Sequence, residues 1–278
     1  MKRSLSIALG LTLLVFAGGA PAQALPGTVV IDQNDYLADG FQLVTTDSTG
    51  TPGTGSGSAS FVAGPGTSPN GVGSLSFQTA SGQGDGSVQL RTTNFTGVAL
   101  SSITNTNNLS YSTYATTYNG PPGTGQLPYL TLYLNDTGAT GTSGADRLYF
   151  EPVYSPGENA SPLLDTWQSW NLFSGNVYAD STSDSLESFT TYLADNPDAV
   201  LSNDPANPTL GSIRFASGFA SSTDNFNTNI SDFSFGATTY DFELGAPEID
   251  PGKSVLPLAL SLGALLLLND RRRKSTIA

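Results

Sequence analysis

Residues 129–134 read Tyr-Leu-Thr-Leu-Tyr-Leu. Successive side chains of an extended chain point to opposite faces. Leu130, Leu132 and Leu134 therefore share one face, and Tyr129, Thr131 and Tyr133 share the other. The pattern predicts a strand over 129–134 with one apolar face for a core. The stretch 147–154 repeats it, with Leu148 and Phe150 against Tyr149, Glu151 and Val153. Further strands are predicted at 28–31, 41–46, 58–62, 72–79, 88–93, 109–115, 167–173, 211–216, 230–235 and 238–244. Between them run loops rich in Gly, Ser, Thr, Asn and Pro, such as 47–57, 63–73, 120–125 and 135–146. One short helix is predicted at 186–194, capped by Asp184 or Ser185. Its apolar stripe is Leu186, Phe189, Thr190 and Leu193, and Asn196-Pro197 ends it. Many short strands, frequent turns and one small helix give an all-β chain, a two-sheet β-sandwich or jelly roll. A parallel β-helix is the other architecture, and no regular repeat supports it.

Both ends of the chain read as addresses. Lys2 and Arg3 precede an apolar run from Leu5 to Ala17, and Ala22-Gln23-Ala24 fits a signal-peptidase site. Residues 1–24 are expected to be a secretory signal peptide. At the other end stand Pro247, Glu248, Ile249, Asp250 and Pro251. A 14-residue apolar segment, 255–268, follows, and then Arg271, Arg272, Arg273 and Lys274. A helix spans a membrane core of about 30 Å with about 20 residues, so this segment is short for a permanent anchor. The basic run is expected on the cytoplasmic side. The order of acidic Pro motif, apolar segment and basic end resembles the PEP-CTERM tail of bacterial exosortase substrates. This chain reads Pro-Glu-Ile-Asp-Pro where that tail has Pro-Glu-Pro. The resemblance implies a tail, 247–278, that forms a hydrophobic sorting helix. It also implies export machinery and an exosortase-like processing enzyme as partners, with the membrane held briefly before cleavage. An ordinary C-terminal anchor is the plainer reading. Either way the working domain is residues 25–246, placed at the cell surface or in the extracellular matrix.

That domain has 222 residues, enough for one sizeable core. The chain contains neither cysteine nor histidine. Disulfide staples, Ser-His-Asp and Cys-His catalysis and His-ligated zinc sites are thereby excluded. Residues 25–246 hold three arginines, no lysine and twenty carboxylates, a net charge of −17. Such a surface repels nucleic acid, whose binding rests on Lys and Arg.

Four groups of residues are candidates for function. Tyr129, Tyr133 and Tyr149 with Glu151 would share one sheet face if their strands are neighbours. Aromatic rings stack on sugars and a carboxylate fixes hydroxyls, so extracellular polysaccharide is the expected partner. Trp167 and Trp170, three apart, should point to opposite faces, one into the core and one available to a ligand. A hydrolase would need two carboxylates, and Glu151 with Asp165 is the candidate pair; Asp146 and Glu158 are other partners for Glu151. No cofactor is required, and a structural Ca²⁺ would find oxygen ligands at Asp180, Asp184, Asp195, Asp198 and Asn203-Asp204. The segment 146–170 and the ending 238–243 are similar to those of secreted β-sandwich domains of bacteria. The architecture resembles jelly-roll carbohydrate-binding modules and concanavalin-like domains. These likenesses imply a non-catalytic module that binds glycan or builds surface structure, with a carbohydrate-active hydrolase as the alternative.

Overall fold

A computed structural model describes residues 27–47, 49, 51–79, 85–103, 109–118, 126–135, 146–154, 161–179, 186–218 and 225–245. The expected signal peptide with Ala22 and Ala24, the tail 247–278, and Asp180, Asp184 and Glu158 lie outside the described residues.

The strands are β1 (Thr28–Asp32), β2 (Phe41–Asp47), β3 (Ser58–Ala63), β4 (Gly73–Gln78), β5 (Asp85–Thr92), β6 (Leu109–Thr117), β7 (Tyr129–Asn135) and β8 (Asp146–Phe150). They continue with β9 (Gln168–Asn171), β10 (Asn176–Ala179), β11 (Glu187–Ser188), β12 (Val200–Leu201), β13 (Ile213–Ser217), β14 (Asn227–Phe235) and β15 (Thr238–Glu243). Helix α1 (Phe189–Asp195) lies between β11 and β12. The first sheet is built around β14. One edge of β14 pairs with β6 and, beyond it, β9. Its other edge is shared: Asn227–Ile230 pair with β4, which leads to β3, and Asp232–Phe235 pair with β15. β1 joins β15 in parallel. The second sheet runs β11-β10-β8-β7-β13-β5-β2, with β12 paired to β7.

The two sheets are packed face to face, a sandwich-like all-β architecture. Tyr111 of β6 meets Phe215 of β13 at 5.2 Å between ring centroids, and Phe215 meets Phe233 of β14 at 4.9 Å. Phe41 of β2 meets Phe242 of β15 at 5.9 Å. Leu130, Leu132, Leu134, Leu148 and Phe150 belong to this core, as the alternation predicts. Burying each such side chain contributes about 1.5–3 kcal/mol. One irregularity hides the pattern in β14. Its core residues are Ile230, Phe233 and Phe235, spaced three and then two. The register with β6 shifts between Ile230 and Asp232, so Ser231 is an extra residue that reverses which positions face inward.

Several elements differ from expectation. The strand predicted at 147–154 stops at Phe150, because Pro152 has no N–H for a ladder. Pro152–Tyr154 instead form a 3₁₀ turn. The strand carrying the tryptophans begins at Gln168 and gives way to a 3₁₀ turn, Leu172–Ser174. The Asn171 side chain accepts the Phe173 N–H at 2.9 Å and caps that turn. The helix starts three residues late: the Ser188 hydroxyl accepts the Thr191 N–H at 3.0 Å and is the cap. Leu186 is exposed, Glu187 pairs in β11, and Phe189 and Tyr192 form the buried stripe. Val72 stands outside β4 and is exposed. Among the described residues no helix is long and apolar enough to cross a membrane.

Candidate functional site

The leucine face of β7 points into the core, so its partner face must do something else. Tyr129, Thr131 and Tyr133 point outward from the second sheet, and the same parity holds on its neighbours. One rung crosses six strands in register: Gln42 on β2, Arg91 on β5, Arg214 on β13, Thr131 on β7, Tyr149 on β8 and Tyr178 on β10. Above this face opens a cavity of about 480 Å³, within the range of about 300–1,000 Å³ usual for ligand sites. Its floor takes Arg91, Arg214, Tyr149 and Tyr178 from the rung, with Tyr129, Tyr133, Gln89 and Glu151 beside them. A wall is formed by Asp204, Ala206 and Asn207, from the segment between β12 and β13.

The tyrosines and Glu151 singled out in the sequence are thus brought together, with Tyr178 added. The Tyr149 and Tyr178 rings stack at 5.2 Å and 11°, and Tyr129 lies 6.4 Å from Tyr149. All four rings are buried. Tyr129, Tyr149 and Tyr178 pack on one another, and with Tyr133 they line the cavity. The Tyr178 hydroxyl donates to Glu151 Oε1. Burial raises the Glu151 carboxyl above its ordinary value, and the Tyr178 hydrogen bond offsets part of that rise. Burial likewise pushes the Tyr129 phenol up to about 12, against the pull of the Arg214 charge.

All three arginines of residues 25–246 line this one cavity. Each guanidinium lies over the Tyr133 ring: Arg91 at 5.7 Å, Arg147 at 5.5 Å and Arg214 at 5.7 Å from its centroid. Arg214 is also 5.5 Å from the Tyr129 ring and 5.9 Å from Tyr149. Arg91 is buried and paired with Asp204 at 2.8 Å, and its Nε donates to Gln89 Oε1 at 2.6 Å. Arg147, 38 % exposed, is 3.9 Å from the same Asp204. Burial works to raise the Asp204 carboxyl, but the Arg91 hydrogen bond, the Ala206 N–H and the two arginine charges outweigh it and hold it below its ordinary value. Arg214 donates twice to Thr131 Oγ1, from Nε at 3.2 Å and Nη2 at 2.8 Å. Among the described residues no carboxylate pairs with it.

The arginines and Tyr178 were not among the candidates of the sequence, and Asp204, a candidate calcium ligand there, instead pairs with Arg91 in this cavity. A signal existed for the arginines: Arg91, Arg147 and Arg214 each sit next to core positions, Leu90, Leu148 and Phe215, and so on the tyrosine face. Nothing local marks Tyr178, whose strand is four residues long, or the pairing of the loop residue Asp204 with a distant arginine.

The other candidates lie elsewhere. Trp170 is a core residue whose Nε1 donates to Thr113 Oγ1 at 2.8 Å. Trp167 precedes β9 on the outer side of the first sheet, against the Tyr114 ring at 5.4 Å, and its Nε1 donates to the Pro65 carbonyl at 2.9 Å. Neither lines the cavity. Asp165 sits near Tyr114 as well, with a left-handed backbone (φ 54°) and its N–H bonded to the Ala115 carbonyl at 2.8 Å. It is not brought to Glu151; among the described residues the other carboxylate lining the cavity is Asp204. Asp195 ends helix α1, and Asp198 follows in the next turn; both are exposed. Among the described residues no group of three or more carboxylates is placed to hold a metal ion.

Compared with protein families, with curated proteins and with solved structures, the chain matches none of them.

Proposed function

We propose that the chain is an exported, non-catalytic glycan-binding module of the cell surface or extracellular matrix. In this reading its two-sheet domain is of the jelly-roll type. The PEP-CTERM-like tail, 247–278, holds it at the membrane until a processing enzyme acts. The observation that carries the proposal is the cavity on the outer face of the second sheet. It sets guanidinium groups, an amide and a carboxyl among aromatic rings. Sugars require that combination. The expected experiment mixes the full-length protein with a panel of insoluble polysaccharides and reads both pelleted protein and released reducing ends. Pelleting without release supports a binding module.

A second reading, hydrolysis, draws on one observation. Glu151 and Asp204 line the same cavity, and their surroundings push the two carboxyls in opposite directions. An acid and a base are often separated in that way. Released reducing ends that disappear in Glu151→Gln would establish it in place of the module. The ion pairs that tie Asp204 to Arg91 and Arg147 favour the non-catalytic reading, because a base held there is already occupied.

A further inference from the structure

Twenty carboxylates and three cations make residues 25–246 strongly acidic, yet the three cations converge on a single ring. Bringing like charges together is unfavourable, and taking them out of water more so. A site that bears such a cost without an internal counter-ion for each charge is built for an external one. The internal supply is short. Asp204 is shared between Arg91 and Arg147. Arg214 relies on two hydroxyls, those of Thr131 and Tyr149, and on aromatic faces, with no carboxylate paired to it among the described residues. A π face stabilises a cation but accepts no N–H bond in the guanidinium plane. A guanidinium carries five N–H donors, and Thr131 takes two of those on Arg214. The Tyr149 hydroxyl engages the guanidinium as well, which leaves two donors to meet a carboxylate, a group that guanidinium N–H donors match closely.

Resting on the glycan-binding reading, we infer that the ligand is an acidic polysaccharide whose uronate carboxylate seats on Arg214. Arg147, half exposed at the edge of the cavity, meets the same or a neighbouring uronate. Arg91 stays with Asp204 and fixes the floor. The acidic remainder of the surface repels polyanions at long range, so the ligand is admitted only where the arginines outnumber the carboxylates. Affinity therefore falls as salt rises.

The test uses the full-length protein and one sugar backbone in two charge states, polygalacturonate and its fully methyl-esterified form, beside a neutral glucan. We expect the acid form to bind roughly tenfold or more tightly than the ester, the worth of a charged hydrogen bond. Arg214→Gln should erase that preference, and Arg147→Gln should reduce it. Arg147 is the safer variant if Arg214→Gln folds poorly, and far-UV circular dichroism identifies such a case. Equal binding of acid and ester, or a preference that survives both substitutions, would overturn the inference while leaving glycan binding intact. Binding of the neutral glucan alone would do the same. Binding of no polysaccharide would overturn the inference together with the reading beneath it.

Discussion

Arg91 and Arg214 occupy directly opposed positions on the adjacent strands β5 and β13. Like charges so placed repel, and the fold answers each differently. Arg91 pairs with Asp204 at 2.8 Å; Arg214 turns to Thr131 and the tyrosine rings. Asp204→Ala strands a buried Arg91 cation beside a second one. The expected loss is about 3–5 kcal/mol in urea denaturation at pH 7. The pair Arg91→Met with Asp204→Leu should lose less than Asp204→Ala alone. Because the Asp204 carboxyl is held below its ordinary value of 3.8 in the folded protein, its contribution is present above that pH and is lost as the pH falls below it.

Tyr178 holds Glu151 through a single hydroxyl, while its ring stacks on Tyr149. Tyr178→Phe keeps the stack and deletes the donor. The Glu151 carboxyl should then titrate at higher pH, seen in its carbon chemical shift, with a stability loss of about 1–2 kcal/mol. An unmoved titration would contradict the assigned bond.

On the far side of the molecule Asp232 of β14 faces Asp241 of β15, and the Asn70 side chain donates to Asp232. One oxygen of Asp241, Oδ1, is buried without a partner. Burial, with the charges of Glu243 and Asp232, lifts the Asp241 carboxyl from 3.8 to about 7. The folded state therefore holds a proton that the unfolded chain releases near 3.8. That contribution is fully present below 3.8 and is lost as the pH rises through about 7. Melting temperature should decline across that window. Asp241→Asn should flatten the decline and melt above the wild type at pH 8. A parallel decline in both proteins would exclude Asp241 as its source.

The tryptophans separate core from surface. Trp170→Ala should destabilise by about 3–5 kcal/mol, the usual cost of emptying a core aromatic site. Trp167→Ala should leave polysaccharide binding unchanged in a pelleting assay, since its ring lies on the other sheet against Tyr114. Lost binding in Trp167→Ala would move the site away from the cavity.

Much of the fold was legible in alternation. Tyr129–Leu134 reveals its leucine face directly, and that face is core. Where alternation breaks, the sequence misleads for physical reasons. The bulge at Ser231 reverses the parity of β14, Pro152 ends β8 before the predicted Glu151–Tyr154 continuation, and Ser188 takes the cap from Asp184 and Ser185. The site was half legible. Tyr129, Tyr133, Tyr149 and Glu151 were read from parity alone. Arg91, Arg147 and Arg214 obey the same parity, but their convergence on Tyr133 depends on which strands are neighbours. The order β8-β7-β13-β5 is not sequential and cannot be read from local pattern.

The proposed ligand site is the outer face of the second sheet. Amide hydrogen exchange of the full-length protein, with and without polygalacturonate, locates the bound ligand on one sheet or the other. New protection is expected in β8, in β10 and in residues 202–212 around Asp204, with little change at 161–171 around Trp167. Protection confined to the Trp167 side, or none at saturating polysaccharide, would contradict it.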